Sequence, residues 1–140
     1  MKIPRKARES ALRMLFQWEL SKEAPDRVKE IYWKEAKAEE HIRGAADPLF
    51  DGVIGKVEQI DRTVAARAEH WRIERMSAVD RNILRLGVFE LQSGTVPPKT
   101  AITEAMDLAH RYSGVESARF VNGVLDAIRR EREGGPTNEE

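Results

Sequence analysis

Basic side chains and an aromatic ring near the start of the chain are the groups whose chemistry points to a ligand. Residues 2–13 carry five basic side chains and one acid, Glu9, so the local charge of this stretch is +4. In a helix, which turns about 100° per residue, Arg5 and Lys6 share the polar side with Phe16. Phosphates bind such cations, and an exposed ring stacks on an unpaired base. The pattern indicates single-stranded nucleic acid as one candidate ligand.

The same rings also have a purely structural explanation. Phe16 lies away from the apolar arc of its helix and could pack as a boundary residue against a neighbouring helix. Phe120 lies at the edge of the apolar face of the last helix and could close the rim of the core. Basic helices are also common on solvated surfaces. The residues alone leave both explanations open.

The composition excludes several classes of chemistry. Lys and Arg number 24, as do Asp and Glu, so the net charge of zero gives no global argument for nucleic acid. The absence of Cys excludes thiolate catalysis, disulfides and thiolate metal sites. His41, His70 and His110 lack the spacing of a metal site, and no phosphate loop or nucleophile elbow occurs. We therefore expect a binding protein, with no catalytic residue, metal or cofactor.

Apolar residues recur at helical spacing nearly throughout, and no sustained strand-like alternation occurs. The sequence predicts an all-α fold of about seven helices at 5–21, 26–42, 48–68, 70–76, 78–93, 100–112 and 117–132. We expect one domain over residues 1–132 and a disordered tail over 133–140. Charges interrupt the apolar run 11–20, which is too short for a membrane span or a signal segment, so we expect a soluble, cytoplasmic protein.

Four helix boundaries have sequence patterns with a physical basis. Asp47 before Pro48 resembles an N-cap followed by proline at the first helical position. Ser77 forms a capping-box pattern with an acid three residues later. Thr100 and Ser117 are further candidate caps that would begin the last two helices.

Four segments, in their order and spacing over residues 5–130, resemble the NusB family of transcription antitermination factors. The segments are Arg8-Glu-Ser-Ala-Leu-Arg-Met-Leu-Phe-Gln-Trp-Glu19, Val79-Asp-Arg-Asn-Ile-Leu-Arg-Leu-Gly-Val-Phe-Glu-Leu91, Pro98-Lys-Thr-Ala-Ile-Thr-Glu-Ala105 and Phe120-Val-Asn-Gly-Val-Leu-Asp126. The resemblance implies two small helical subdomains that share one core. It also implies binding to the boxA element of nascent ribosomal RNA, together with the ribosomal protein NusE, in an RNA polymerase antitermination complex.

The resemblance assigns roles to individual residues. The family's RNA contacts correspond to six positions here: Arg5, Lys6, Arg8, Phe16, Arg119 and Phe120. It places Glu116 at the RNA-facing rim, where its charge would restrain phosphate binding, and Asp80 on the side that faces NusE. Arg8 lies at the border of its apolar face, and we expect its long stem to carry the guanidinium to the surface.

Two other functions remain open from the sequence. A similar domain occurs in a ribosomal RNA cytosine methyltransferase, so the chain could be a detached recognition module of that kind. It could also be an adaptor that binds only proteins, in which case the basic helix is a solvated face. The resemblance leaves a homodimer open, because some members of the family self-associate through the RNA-binding surface.

Overall fold

The computed structural model describes residues 2–68 and 72–134, and within them it has seven α-helices, one 3-10 turn and no strand. This confirms the predicted all-α class. The helices are α1 (Arg5–Ser21), α2 (Pro25–Ala36), α3 (Glu40–Gly55), α4 (Val57–Arg67), α5 (Ala78–Ser93), α6 (Pro98–Tyr112) and α7 (Val115–Arg132), and the 3-10 turn is Ile73–Arg75.

Helix α5 is the central element, because it contacts five other helices: α1, α3, α4, α6 and α7. Helices α1 to α3 form one group and α6 with α7 the other, and their apolar side chains join in a single core. Two glycines allow close approach: the Phe89 ring packs against Gly52 of α3, and Leu125 of α7 packs against Gly87. A Cβ at Gly87 would lie 2.7 Å from Leu125 Cδ1.

Polar clusters fasten α1 to α5 near both ends of α1. Near the C-terminal end of α1, Glu19 accepts hydrogen bonds from Arg81 Nε at 2.8 Å and from Asn82 Nδ2 at 3.0 Å. Arg85 joins the same carboxylate at 3.3 Å, and its Nε donates to Asp61 Oδ1 of α4 at 2.8 Å. At the other end, Arg8 meets Glu90, as described below. Two such anchors fix the rotation of α1 and therefore the direction in which its exposed face points.

The predicted N-cap at Asp47 is wrong. Its carboxylate accepts a hydrogen bond from Trp33 Nε1 at 2.8 Å instead, and Pro48 lies inside α3. The predicted helix 26–42 is therefore two elements, since α2 ends at Ala36 and α3 begins at Glu40.

The predicted helix 48–68 is also divided, because Lys56 separates α3 from α4 with φ −125° and ψ 20°. Of the predicted helix 70–76, the structure shows only the 3-10 turn, and residues 69–71, which include His70, lie outside the described part of the chain.

The cap at Ser77 is confirmed, since its Oγ accepts a hydrogen bond from the backbone N–H of Asp80 at 3.1 Å. The caps at Thr100 and Ser117 are wrong. Proline at the first position already begins α6 at Pro98. Helix α7 begins two residues before Ser117, directly after Gly114, whose φ of 119° suits glycine.

Helix α7 ends at Arg132, and residues 135–140 of the expected tail lie outside the described residues. Among the helices in residues 2–68 and 72–134, none combines the length and the apolar character that crossing a bilayer requires.

Candidate nucleic-acid interface

The first turn of α1 presents two of the expected cations to solvent. Arg5 is 63% exposed, and its Nε lies 3.4 Å from Glu104 Oε1 of α6. Lys6 is exposed and lines a groove between α1 and the α2–α3 connection. Arg13 and Lys37 line the same groove, which has a volume of about 560 Å³. The cationic surface therefore continues from the start of α1 along its exposed side.

The expectation that Arg8 reaches the surface is wrong. Its side chain is 3% exposed, and Nε donates to Glu90 Oε1 at 3.0 Å and to Oε2 at 3.1 Å. A guanidinium that lies inside the core against a carboxylate gains a strong charge-assisted interaction, which the surface does not offer. Arg8 also donates from Nη1 to the backbone oxygen of Ile3 at 3.1 Å. Its contacts therefore hold the segment that precedes α1.

Burial and the charge of Arg8 act in opposite directions on the pKa of Glu90. Burial raises the pKa of Glu90, the hydrogen bonds and charge of Arg8 oppose that rise, and the charge of Glu104 adds to it. Because the carboxyl is 1% exposed, Arg8 is its essential counter-charge.

Phe16 lies at the surface, with 40% of the residue exposed. Its ring lines an apolar cavity of about 230 Å³ together with Leu12, Val79 and Tyr112. Tyr112 is held there by Arg13, whose Nε donates to the Tyr112 hydroxyl at 3.2 Å. The ring therefore combines an exposed part with an edge that faces a small apolar cavity.

An acidic group stands beside this cavity. Asp80 follows Val79 in the first turn of α5, and its Oδ2 accepts a hydrogen bond from Ser117 Oγ at 3.2 Å. Its buried Oδ1 has no hydrogen-bond partner within residues 2–68 and 72–134. A carboxylate on the residue that follows a cavity-lining one suits a partner that carries an apolar side chain and a neighbouring cation.

The start of α7 contributes the remaining predicted residues. Glu116 and Arg119 are exposed and, three residues apart, are neighbours on the helix surface. Phe120 is half-buried and packs against the core. Phe120 therefore packs at the rim of the core, whereas Phe16 does not.

Side-chain contacts join α1 to α6 in the same order along both helices. Arg5 meets Glu104, Glu9 pairs with Arg111, and Arg13 bonds Tyr112. Arg5 and Phe16 are eleven residues apart, which is about 16 Å along α1. The candidate surface therefore has two parts, which we call the cationic arm (residues 2–6) and the Phe16 cavity.

Residue-level sequence analysis missed three members of this surface. Tyr112 and Val79 line the Phe16 cavity, and Arg13 orients the Tyr112 hydroxyl. The position of Tyr112 in the last turn of its helix is visible in the sequence, but nothing local shows that this turn lies against α1.

The NusB family model matches residues 5–130. The chain belongs to the NusB family. Its match to the curated transcription antitermination protein NusB of Koribacter versatilis (strain Ellin345) is 46% identical over 129 residues, which is 91% of this chain and 88% of that protein. The protein of the same description from Solibacter usitatus (strain Ellin6076) is 45% identical over 131 residues, with the same coverage of both chains.

Solved NusB structures share the fold. The structure described as T. maritima NusB superposes with a TM-score of 0.83 at 33% identity, and the match covers 94% of each chain. A chain from the crystal structure of antitermination factors NusB and NusE in complex with dsRNA gives a TM-score of 0.82 at 31% identity, covering 91% of this chain and 96% of that one. The NusB fold therefore extends over nearly the whole of this chain.

Proposed function

We propose that this NusB-family protein is an RNA-binding subunit of a transcription antitermination complex and acts together with NusE. The observation that supports this most directly is that Arg5 and Lys6 of the cationic arm lie on the same helix as the exposed Phe16, namely α1, which two polar clusters fix against α5. Relatives matched over most of their length are antitermination proteins, and a related solved complex contains NusE and RNA. These matches favour a binding protein over a methyltransferase module.

We assign direct RNA contacts to Arg5, Lys6 and Arg119, whose cations are exposed; a phosphate would compete with Glu104 for Arg5. Phe16 offers its exposed ring for stacking, which is worth about 1–3 kcal/mol per base. Phe120 contributes a ring edge at the core rim. Glu116, beside Arg119, reduces phosphate affinity by repulsion. Arg8 acts through the arm that it holds in place, not through a contact of its own.

We assign the NusE contact to the Phe16 cavity and to Asp80 beside it. An apolar side chain of the partner would fill the cavity, and a cation of the partner would be attracted to the negative charge of the Asp80 carboxylate. Phe16 then stands at the border between RNA and partner. The assembled pair would join RNA polymerase as one unit, and the protein could form a homodimer through the same surface when RNA is absent.

Fluorescence anisotropy with a short boxA RNA and a scrambled RNA, across a salt series, tests the proposal. We expect sequence-dependent binding that NusE strengthens, and a salt slope that falls by about 0.7 for each phosphate contact removed. The variant Arg5→Gln/Lys6→Gln should lower that slope, whereas Lys22→Gln/Lys34→Gln, which changes exposed cations away from the arm, should leave it unchanged. Equal, weak binding of both RNAs in the presence of NusE would favour a protein adaptor.

A second titration tests the partner site. Asp80→Asn should weaken NusE binding measured by calorimetry, and Asp26→Asn, which neutralises a carboxylate that is 98% exposed on α2, is the matched control. The partner assignment fails if both variants bind NusE as tightly as the native protein.

A further inference from the structure

A second basic surface lies where α3, α4, α5 and α7 meet. An open cleft of about 730 Å³ is lined there by Lys56, Arg62 and Arg132, together with the amide side chains of Gln59 and Gln92. Lys56 separates α3 from α4, Arg62 lies on α4, and Arg132 ends α7. All three cations are exposed. The α3–α4 junction, α4 and the end of α7, which is distant from them in sequence, thus direct positive charge to one cleft.

These cations differ from many of the other exposed cations of the described chain because none of them forms an ion pair. Neighbouring arginines are paired, Arg67 with Glu131 and Arg129 with Glu133. By contrast, Lys56, Arg62 and Arg132 have no ion-pair partner among the residues the structure describes. One acid, Glu58, also lines the cleft, so three cations and one carboxylate leave a local charge of +2. Unpaired cations that converge on a cleft favour an anionic ligand.

The cleft lies at the same end of α5 as the cationic arm. Glu90 of α5 holds Arg8 in the first turn of α1, and Gln92, two residues further along, lines the cleft. Two residues correspond to about 3 Å along the helix and about 200° around it. The arm and the cleft are therefore on opposite sides of the same end of α5, so a strand that crosses this end reaches both.

We propose that this cleft binds the phosphates of RNA that flanks the element held at the cationic arm, an inference that rests on the proposed function. Phosphates supply the negative charge that the three cations lack, and Gln59 and Gln92 offer amide donors and acceptors to a neighbouring sugar or base. The contact is independent of sequence, because cations read the backbone and not the base edges. RNA is favoured over an acidic protein because a strand held at the arm can cross this end of α5 and reach the cleft.

Binding of two RNAs to the full chain with NusE tests this inference. One RNA carries the boxA core alone, and the other extends that core on both sides. We expect the native protein to bind the extended RNA roughly tenfold more tightly, with a steeper salt dependence. The variant Lys56→Gln/Arg62→Gln/Arg132→Gln should lose this gain and lower the salt slope for the extended RNA by about 2, while it binds the core RNA as the native protein does.

The matched control is Lys22→Gln/Lys34→Gln/Arg75→Gln, which removes three exposed cations away from the cleft and gives the same change in net charge. This control variant should still bind the extended RNA more tightly than the core RNA. The inference is overturned if the flanks add nothing to the affinity of the native protein, or if the control loses as much as the cleft variant. Loss of NusE binding by the cleft variant, with the RNA gain intact, would identify the cleft as a protein site instead. Failure of the native protein to bind the core RNA would overturn the proposed function itself.

Discussion

At the scale of single residues, the buried pair of Arg8 and Glu90 has the largest expected effect on stability. Removing the guanidinium leaves the Glu90 carboxylate buried without its counter-charge, which costs about 3–5 kcal/mol. We expect Arg8→Ala to lose this much in denaturant unfolding. Arg5→Ala, at an exposed position, should change the free energy of unfolding by less than about 0.5 kcal/mol. Equal unfolding curves for the two variants would contradict the importance of the pair.

A second variant separates stability from RNA contact at this position. Replacing both partners, as Arg8→Met/Glu90→Leu, removes the buried charges together and should restore much of the stability. If the folded double variant binds boxA RNA nearly as well as the native protein, Arg8 acts through the structure alone. A large loss of RNA affinity in that folded variant would show that Arg8 contacts the RNA directly.

Glu19 gives a prediction for the dependence of stability on pH. Burial acts to raise the pKa of Glu19, but hydrogen bonds from Arg81 and Asn82 and the charges of Arg85 and Arg81 outweigh it and lower the pKa below the ordinary 4.5. An acid with a lowered pKa stabilises the fold above its unfolded pKa and loses that contribution as the pH falls through its folded pKa. The stability advantage of the native protein over Glu19→Gln should therefore shrink as the pH falls below about 4.5.

Urea unfolding of both proteins between neutral pH and acid measures this difference. Because the Glu90 carboxyl is common to both proteins, its opposite contribution cancels in the comparison. An advantage that stays constant down to acid pH would show that the pKa of Glu19 is not lowered in the folded protein.

The residue scale also shows where sequence analysis reached its limit. The helical angle of about 100° per residue is enough to place Phe16 away from the core face, and the ring is indeed exposed. The same angle puts Arg8 at a border and cannot decide where its long side chain goes. That direction depends on Glu90, which is 82 residues away in the sequence.

At the scale of elements, α7 contains a glycine that lowers the stability of the helix without a packing contact that would explain it. Gly123 lies in the middle of the helix on its exposed side, and no group of the described residues outside its own stretch of helix backbone lies within 4 Å of the position of an added Cβ. Gly123→Ala should therefore stabilise the isolated protein by about 0.5–1 kcal/mol, because alanine has the higher helix propensity and lowers the entropy of the unfolded chain. Thermal unfolding measures the gain, and a loss of stability would show packing against this face.

Gly87→Ala is the matched comparison, since it also replaces a glycine within a helix. There a Cβ would lie 2.7 Å from Leu125 Cδ1, so we expect destabilisation. If Gly123→Ala is more stable but binds RNA or NusE less well, the glycine serves the close approach of a ligand.

The bounds of the elements were predictable where local chemistry decides them. Helices α1 and α5 begin and end at the predicted residues, because apolar spacing and, for α5, the Ser77 cap and Gly94 are local features. The division around α2 and α3 was not predictable. Asp47 has the sequence pattern of a cap, but its carboxylate accepts a hydrogen bond from Trp33. That contact exists only once the two helices pack together.

At the scale of the whole molecule, charge is balanced overall and separated locally. The sum of zero hides a sequence stretch of +4 at the start of the chain, part of which Glu90 and Glu104 neutralise in the fold, and a cleft of +2 on the far side of α5. The Phe16 cavity adds an apolar site about 16 Å along α1 from the arm. This arrangement fits the proposal that RNA and a protein partner bind at the same time, one at the arm and the other at the Phe16 cavity.

The last prediction concerns the coupling between those two ligands. If NusE binds the Phe16 cavity and RNA binds the arm, each should raise the affinity for the other by the same factor, in the range of about 5–150 that is usual for coupled sites. We expect Phe16→Ala, at the border between the sites, to reduce this factor in both directions. Lys6→Gln should weaken RNA binding and leave the factor unchanged, because Lys6 lies on the arm side. Calorimetric titration of each ligand, with and without the other, gives the four affinities. If Lys6→Gln reduces the coupling as much as Phe16→Ala does, then RNA and NusE do not occupy separate parts of the surface, and the division between arm and cavity is wrong.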